Sequence, residues 1–219
     1  MKIIKSKKEL FLELQNMLPK NPVIIEAGAY HGKDTKRLSS NWPHGTIYAF
    51  EPVPEIFKRL QNNTKKLTNI VCVPLALSNT TGQATFYVSE KPTRKDQPFQ
   101  AGSLKKPQER LHWSDVTYPK TITVQTTTLD DWATQNDITK IDFLWLDAQG
   151  NAYEILQGAQ KLLPTVTAIW VEVEFIQAYE KQTQYEQLKA YLETQGFQAI
   201  AKDFENQTDW FFGNVLFVK

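Results

Sequence analysis

The sequence has 219 residues but only one cysteine and three histidines. A single cysteine excludes a disulfide framework and a cysteine-based metal cluster. Cys72 lies inside the apolar run 70–73, which predicts a buried thiol. The three histidines, His31, His44 and His112, are too widely spaced to predict a metal site.

Long apolar runs and a dominant charge are also missing. No stretch is long enough to predict a transmembrane helix, and the lysine-rich start leads into a charged amphipathic segment, not into the apolar core of a signal peptide. The net charge is only +1, so no basic stripe predicts binding to nucleic acid or to an anionic membrane. These absences predict a soluble, cytoplasmic protein with a small-molecule partner, and they leave the oligomeric state open.

The sequence does contain an alternation of apolar strands and amphipathic helices. Continuous apolar runs predict strands buried on both faces of a sheet at 23–26, 47–50, 70–75, 141–146 and 168–174. Helical periodicity and capping signals predict helices near 6–18, 32–40, 54–66, 152–163 and 183–195. With a terminal pair of strands at 197–201 and 211–218, the pattern predicts a single α/β domain over residues 1–219.

Residues 82–127 interrupt this alternation. Segments 84–88 and 121–126 alternate in polarity, which predicts half-exposed strands. Between them, residues 90–120 are polar and contain prolines, and a connection of this length in a compact domain is usually functional or disordered. We therefore expect a β-excursion with a long loop, which either closes over a substrate or is merely flexible.

The turn after the first strand, Glu26-Ala-Gly-Ala-Tyr-His-Gly32, is the first candidate site. Glycine lets the backbone approach a ligand closely, and the amides that begin the next helix favour a carboxylate or a phosphate. Glu51 ends the second strand, where a carboxylate can accept both ribose hydroxyls. The layout predicts a nucleoside-cofactor site, while the alternatives are an ordinary tight turn and a solvated loop acid.

Acidic residues at the ends of later strands form the second candidate site. Asp147 ends an otherwise apolar strand, and burying an unpaired acid is costly, so this residue needs a partner or a ligand. Glu172 and Glu174 are two residues apart on one strand and share a face. They could include a base, bind a metal or emerge into solvent. His112, in the long loop, is a further candidate for a base.

Taken together, these segments resemble the FkbM family of S-adenosylmethionine-dependent methyltransferases. The resemblance covers nearly the whole chain after the first helix, and it is carried by residues 26–32, 50–52, 76–78, 102–104, 128–131 and 142–150. It implies an α/β, Rossmann-like class I methyltransferase fold. Such a fold has a seven-stranded, mostly parallel sheet with helices on both faces and an antiparallel last strand. It also implies O-methylation of a small molecule or a saccharide.

The resemblance further implies roles for individual residues. Gly28 and Gly32 would line the methionine side of S-adenosylmethionine, Glu51 would hold the ribose, and Asp147 would lie beside the sulfonium. The Ala76 to Ser78 turn would lie near the adenine. The cofactor-binding candidates are Glu26, Gly28, Ala29, Tyr30, Gly32, Thr35, Glu51, Pro52, Ala76, Leu77, Ser78 and Asp147.

The acceptor side departs from the family pattern. Many members have Asp-Val-Glu-Gly followed by another Glu, where this chain has Gln149 and Ala152. Glutamine can orient a hydroxyl but cannot take its proton, so we expect no base at position 149. The hypothesis is that Asp147 and Glu172 are catalytic and that one of them removes the proton of the acceptor. The predicted acceptor-binding residues are Ser103, His112, Gln149, Asn151 and Glu174.

Two other functions are compatible with the same segments. A nicotinamide-dependent reductase also needs an acidic residue after its second strand, but the missing third glycine of its turn counts against it. A module that binds S-adenosylmethionine without turnover would carry the same cofactor residues. The sequence does not predict the identity of the acceptor.

Overall fold

A computed structural model describes residues 1–91, 94–112, 115–206 and 211–219. The first elements are β1 (Lys2–Ile3), α1 (Lys7–Met17), β2 (Val23–Ala27), α2 (Lys33–Asn41), β3 (Thr46–Phe50), α3 (Pro54–Thr64), β4 (Ile70–Val73), β5 (Ala76–Leu77) and β6 (Gly82–Lys91). They are followed by β7 (Arg94–Pro98), β8 (Thr117–Thr127), α4 (Leu129–Gln135), β9 (Phe143–Leu146), α5 (Ala152–Gln157), β10 (Ala168–Glu174), α6 (Tyr185–Thr194), β11 (Gln198–Lys202) and β12 (Phe212–Val218). Across the described ranges, none of these helices combines the length and the apolar character needed to cross a bilayer.

Eight strands form the main sheet, in the order β1-β11-β12-β10-β9-β2-β3-β4. From β10 to β4 every neighbouring pair is parallel, whereas β12 is antiparallel to both β10 and β11. The predicted fold, with its antiparallel last strand, is confirmed. The two-residue strand β1 adds an eighth strand at the edge, parallel to β11, and it is too short to be recognised as an apolar run.

Helices cover both faces of this sheet because consecutive residues of its central strands enter different cores. Ile24 and Phe143 pack with Leu10 of α1 on one face. Ile25 and Leu144 pack on the other face, in the core that receives α4, α5 and α6. Side chains of adjacent strand residues point in opposite directions, so a strand that is apolar at every position must be buried on both sides.

The strand order places a ligand crevice at one edge of the sheet. The chain passes from β2 to β3 on one side of β2, and it later returns to place β9 on the other side. In open α/β sheets, ligands bind outside the carboxyl ends of the strands at such a switch point.

Residues 82–127 contain most of a second sheet, of order β5-β8-β6-β7, in which β6 and β8 pair antiparallel. The connection between β6 and β8 was expected as a loop, but its described part contains β7 and a turn of 3₁₀ helix at Glu109–Leu111. The described part is also tied to the segment after β10, because Gln108 N donates to Ala178 O at 2.9 Å. Within the expected loop, positions 92–93 and 113–114 lie outside the described residues.

Candidate active site

A cavity of about 350 Å³ opens where β2, β3, β9 and β10 end. Its outer wall comes from the second sheet and its connection, through residues such as Phe86, Gln100 and Arg110. Most of the predicted site residues line this cavity, namely Glu26, Gly28, Ala29, Tyr30, Glu51, Pro52, Ala76, Leu77, Asp147, Gln149, Asn151 and Glu172. The fold therefore brings the two candidate sites of the sequence into one space.

The glycines of the first turn are required by the packing of the protein itself. Gly28 has a φ of +87°, and a Cβ there would lie 1.9 Å from the carbonyl oxygen of Asp147. Gly32 has a φ of +78°, and its Cβ would lie 2.8 Å from Leu60 Cδ1. Both positions combine a left-handed backbone with a close neighbour, so only glycine fits them. The turn is thereby held directly against the end of β9.

Glu51 is buried at the end of β3 and is held by the backbone. Its Oε2 accepts from Tyr30 N at 3.0 Å, and its Oε1 accepts from Val53 N at 2.9 Å. Burial raises the pKa of Glu51 to about 7, and these two hydrogen bonds oppose the shift. A carboxylate oxygen can accept more than one hydrogen bond, so each oxygen keeps capacity for a hydroxyl. Glu51 is therefore a fixed, buried acceptor and not a solvated loop acid.

Glu26 and Thr35 are buried polar residues beneath the first turn, with side chains that are 2% and 0% exposed. Within the described part of the chain, neither Glu26 Oε2 nor the Thr35 hydroxyl has a hydrogen bond of standard geometry. Burial raises the pKa of Glu26 to about 8, and the nearby Thr35 hydroxyl opposes the shift. The Thr35 hydroxyl is therefore a polar neighbour of the Glu26 carboxyl group in this buried position.

An apolar wall lies between Glu51 and the second sheet. Val53, Ile56, Ala76 and Phe86 belong to one buried cluster and line the cavity together. Its lower edge is fixed by Asn151, whose Nδ2 donates to Leu77 O at 3.0 Å. An apolar surface next to a carboxylate suits a nucleoside, with the base on the wall and the ribose at the acid.

Gln149 joins the two predicted catalytic acids. Its Nε2 donates to Asp147 Oδ1 at 2.9 Å and to Glu172 Oε1 at 2.7 Å, while its Oε1 accepts from the Tyr179 hydroxyl at 3.0 Å. The Gln149 backbone is left-handed, with a φ of +48°, and its carbonyl accepts from Ser103 Oγ at 2.7 Å. Both N–H groups of the amide are thus engaged. Gln149 therefore bridges the two acids and fixes their orientation.

The pKa values of the acids at and next to this end of the cavity are raised above their ordinary values. Burial raises the pKa of Asp147, and burial together with the charges of Asp147 and Glu174 raises the pKa of Glu172 well above its ordinary value. Burial, and then the charge of Asp147, raises the pKa of Glu174 to about 8. The Arg110 guanidinium opposes all three shifts. Over the described residues, no group of three or more His, Cys, Asp or Glu side chains is placed to hold a metal ion.

A family model described as the methyltransferase FkbM domain matches residues 26–199. The chain belongs to the FkbM methyltransferase family. The match begins at Glu26 and therefore includes every predicted cofactor residue, together with Asp147, Gln149 and Glu172. The resemblance drawn from the sequence is thereby confirmed, and the protein is an enzyme of the methyltransferase class.

Two curated methyltransferases are among the similar proteins. The 2-O-methyltransferase NoeI of Sinorhizobium fredii is 28% identical over 163 residues, which is 74% of this chain and 67% of that protein. The hexuronic acid methyltransferase AglP of Haloferax volcanii is 26% identical over 129 residues, which is 58% of this chain and 46% of that protein.

Solved structures confirm the fold of this FkbM protein. The magnesium protoporphyrin IX methyltransferase of Synechocystis, crystallised with bound S-adenosylmethionine, superimposes with a TM-score of 0.53. The superposition covers 96% of this chain and 74% of the Synechocystis chain, and the two sequences are 10% identical. At that identity the likeness shows the fold alone.

Several predicted residues do not reach the cavity of this FkbM enzyme. The cavity lining does not include Gly32, Thr35, Ser78 or Glu174, which is buried two residues beyond Glu172 on β10. Ser103 acts indirectly, through its hydrogen bond to the Gln149 carbonyl. His112 is exposed and lies away from the cavity, so the structure gives no support to its predicted contact with the acceptor.

Several residues at the site were not predicted from the sequence, among them Arg110, Tyr179 and Lys7. Arg110 arrives from the 3₁₀ turn of the excursion, Tyr179 from the segment after β10, and Lys7 from the first turn of α1. Each is an ordinary polar or aromatic residue in a segment with no motif. The only available signal was the length of the 90–120 connection, which indicated a functional element without indicating a residue.

Proposed function

We propose that this enzyme transfers a methyl group from S-adenosylmethionine to a hydroxyl of a saccharide or a related small molecule. The observation that carries the proposal is the presence, in one cavity, of backbone-held Glu51 and of the Asp147–Gln149–Glu172 cluster. The first suits the nucleoside of a cofactor, and the second suits a hydroxyl that must lose a proton.

The residues on the cofactor side fit S-adenosylmethionine. Glu51 would accept the ribose hydroxyls, the apolar wall of Val53, Ile56 and Phe86 would take the adenine, and Glu26 would face the methionine ammonium. When bound, this cofactor supplies a methyl group that is already activated by its sulfonium. The family match supports S-adenosylmethionine as the cofactor, and so does the Synechocystis methyltransferase, which has a similar fold and binds S-adenosylmethionine.

The acid cluster would align the acceptor and take its proton. Positioning of two reactants can lower a barrier by about 7–11 kcal/mol, whereas a general base contributes about a hundred- to ten-thousand-fold in rate. We assign the base role to Glu172, because its raised pKa makes the carboxylate a stronger base once it is ionised. Asp147, held by Gln149 at the end of β9, would face the methyl donor.

The outer part of the cavity suits a hydroxylated acceptor. Gln100 and Arg110 supply polar groups there, and Phe99 and Phe212 supply aromatic rings. Hydrogen-bonding side chains beside aromatic surfaces can bind the hydroxyl edges and the apolar face of a sugar ring. The names of the relatives, a 2-O-methyltransferase and a hexuronic acid methyltransferase, support a sugar hydroxyl as the target.

Two measurements test this proposal. Calorimetry should show binding of S-adenosylhomocysteine and none of NAD, and binding of NAD instead would favour a reductase. Incubation with S-adenosylmethionine and a panel of neutral sugars, uronic acids and glycosides should release S-adenosylhomocysteine with at least one acceptor. Tight cofactor binding without product release from any acceptor of these classes would favour a binding module and contradict the proposed transfer.

A further inference from the structure

Helix α1 contributes to the cavity although it lies outside the residues that the family model matches, 26–199. Lys7 is its first residue, and its side chain lines the cavity. The Nζ lies 4.1 Å from the centroid of the Trp145 ring and 5.5 Å from that of Trp170. The two rings hold the ammonium above the face of the sheet that carries α1.

The nearest acid leaves the Lys7 ammonium with hydrogen-bonding capacity. Lys7 Nζ lies 3.9 Å from Asp34 Oδ2, which is too long for a strong hydrogen bond, while Arg37 Nη1 binds the other oxygen of Asp34 at 2.6 Å. Burial lowers the pKa of Lys7, and the charges of Asp34 and Asp147 oppose that shift. An anion placed beside Nζ would meet a partly desolvated cation, for which a charge-assisted hydrogen bond is strong.

Glu26 lies on the same side of the sheet as Lys7. Glu26 and Trp145 are register partners in β2 and β9, so their side chains point to the same face, and Lys7 lies over Trp145. Glu26 lines the cavity and is 2% exposed, and the Thr35 hydroxyl is a polar neighbour of its carboxyl group. A cation and a buried acid therefore line one part of the cavity. This pair matches the carboxylate and the ammonium of an α-amino acid.

We propose that Lys7 binds the α-carboxylate of the methionine part of the cofactor, opposite its ammonium at Glu26. The inference rests on the proposed function, because it takes the ligand to be S-adenosylmethionine or its demethylated product. It extends the binding site to helix α1 and gives Lys7 a role in binding, beyond its packing on the two tryptophans.

The test compares two ligands that differ only at this end. S-adenosylhomocysteine carries the amino-acid group, whereas 5′-methylthioadenosine keeps the nucleoside and the sulfur but lacks that group. Lys7→Met should weaken binding of S-adenosylhomocysteine about 10- to 100-fold in calorimetry and leave binding of 5′-methylthioadenosine unchanged. Lys8→Met, the same change at the exposed neighbour on α1, should alter neither affinity. Lys7→Arg should restore most of the lost affinity.

The outcomes separate this inference from the proposed function. If the wild-type protein binds neither ligand, the proposed function is wrong, and the proposed role of Lys7 is wrong as well. If the wild type binds both, and Lys7→Met weakens both equally or neither, only the assignment of Lys7 is wrong. Thermal unfolding of each variant identifies a general loss of structure, which would weaken the binding of both ligands.

Discussion

The two sides of the cavity are built in different ways. On the proposed cofactor side, the Glu51 carboxylate is held by backbone amides of two adjacent turns, those of Tyr30 and Val53. On the proposed acceptor side, Asp147 and Glu172 are held by the side chain of Gln149, which in turn accepts a hydrogen bond from Tyr179. Backbone contacts survive most substitutions, whereas a chain of side chains does not. We therefore expect changes on the acceptor side to reduce turnover while cofactor binding is retained.

Glu172→Gln should give the largest effect. The substitution keeps the size of the side chain and removes the proposed base, so kcat should fall about a hundred- to ten-thousand-fold. The dissociation constant for S-adenosylhomocysteine should stay within about twofold, because Glu172 belongs to the acceptor side. Stopped-assay rates and calorimetry on the same preparation measure the two quantities. Full turnover in both Glu172→Gln and Asp147→Asn would show that neither acid is the base.

Gly28 packs the first turn against the Asp147 carbonyl, so its substitution should destabilise the folded protein. Gly28→Ala places a Cβ against the Asp147 carbonyl, whereas Gly196→Ala meets no atom within 4 Å, and the two glycines have nearly equal φ angles of +87° and +86°. The Gly196 variant should lose about 1–2 kcal/mol of unfolding free energy from the left-handed backbone. The Gly28 variant should lose about 1–3 kcal/mol more from overlap, measured by urea unfolding. Equal losses would show that the turn can move away from β9.

Gln149→Met tests the side-chain network on the acceptor side. Methionine fills a similar volume but removes both donors to the buried acids, so their pKa values should rise further and fewer molecules should carry an ionised base. We expect kcat to fall about 10- to 100-fold and its pH optimum to move upward. Tyr179→Phe removes one hydrogen bond to Gln149 and should lower kcat only a few-fold. An equal loss of cofactor affinity in Gln149→Met would contradict the separation of the two sides.

The same difference explains how much the sequence could predict. Glu26, Glu51 and the first turn follow directly from strand ends, where the residue after an apolar run must lie at the carboxyl edge of the sheet. The resemblance to the family then joined Asp147 to these residues, and Asp147, Glu26 and Glu51 line one cavity. All of these positions are set by local sequence and by the order of parallel strands.

The remaining features depend on contacts between segments that are distant in sequence. Ser103 binds the backbone of Gln149, 46 residues away, and Arg110 reaches the acids from the excursion. The periodicity of apolar residues in the sequence gives no information about such a contact. Gln149 illustrates the limit. Its inability to act as a base was evident from its chemistry, whereas its bond to both acids required the fold.

The pH dependence of ligand binding separates Glu51 from the other acids. Its pKa of about 7 means that the carboxyl group is mostly protonated at pH 6 and ionised at pH 8. Ribose hydroxyls donate more strongly to a carboxylate, so affinity for 5′-methylthioadenosine should rise about tenfold between these pH values and then level off. That ligand lacks the amino-acid group and so does not report on Glu26. In Glu51→Gln, binding should be weak and nearly independent of pH.

Stability of the ligand-free protein should change in the opposite direction. Because the folded-state pKa of Glu51 is raised above the ordinary glutamate value, the folded state binds more protons than the unfolded state between about pH 4.5 and 7. The contribution of Glu51 to stability is therefore complete below this pH window and is lost as the pH rises through it. Glu51→Gln should reduce the slope of this part of the stability profile measured by urea unfolding, and the other buried acids with raised pKa values should account for the slope that remains. A profile that keeps its slope in the variant would show that another buried acid, and not Glu51, takes up the proton.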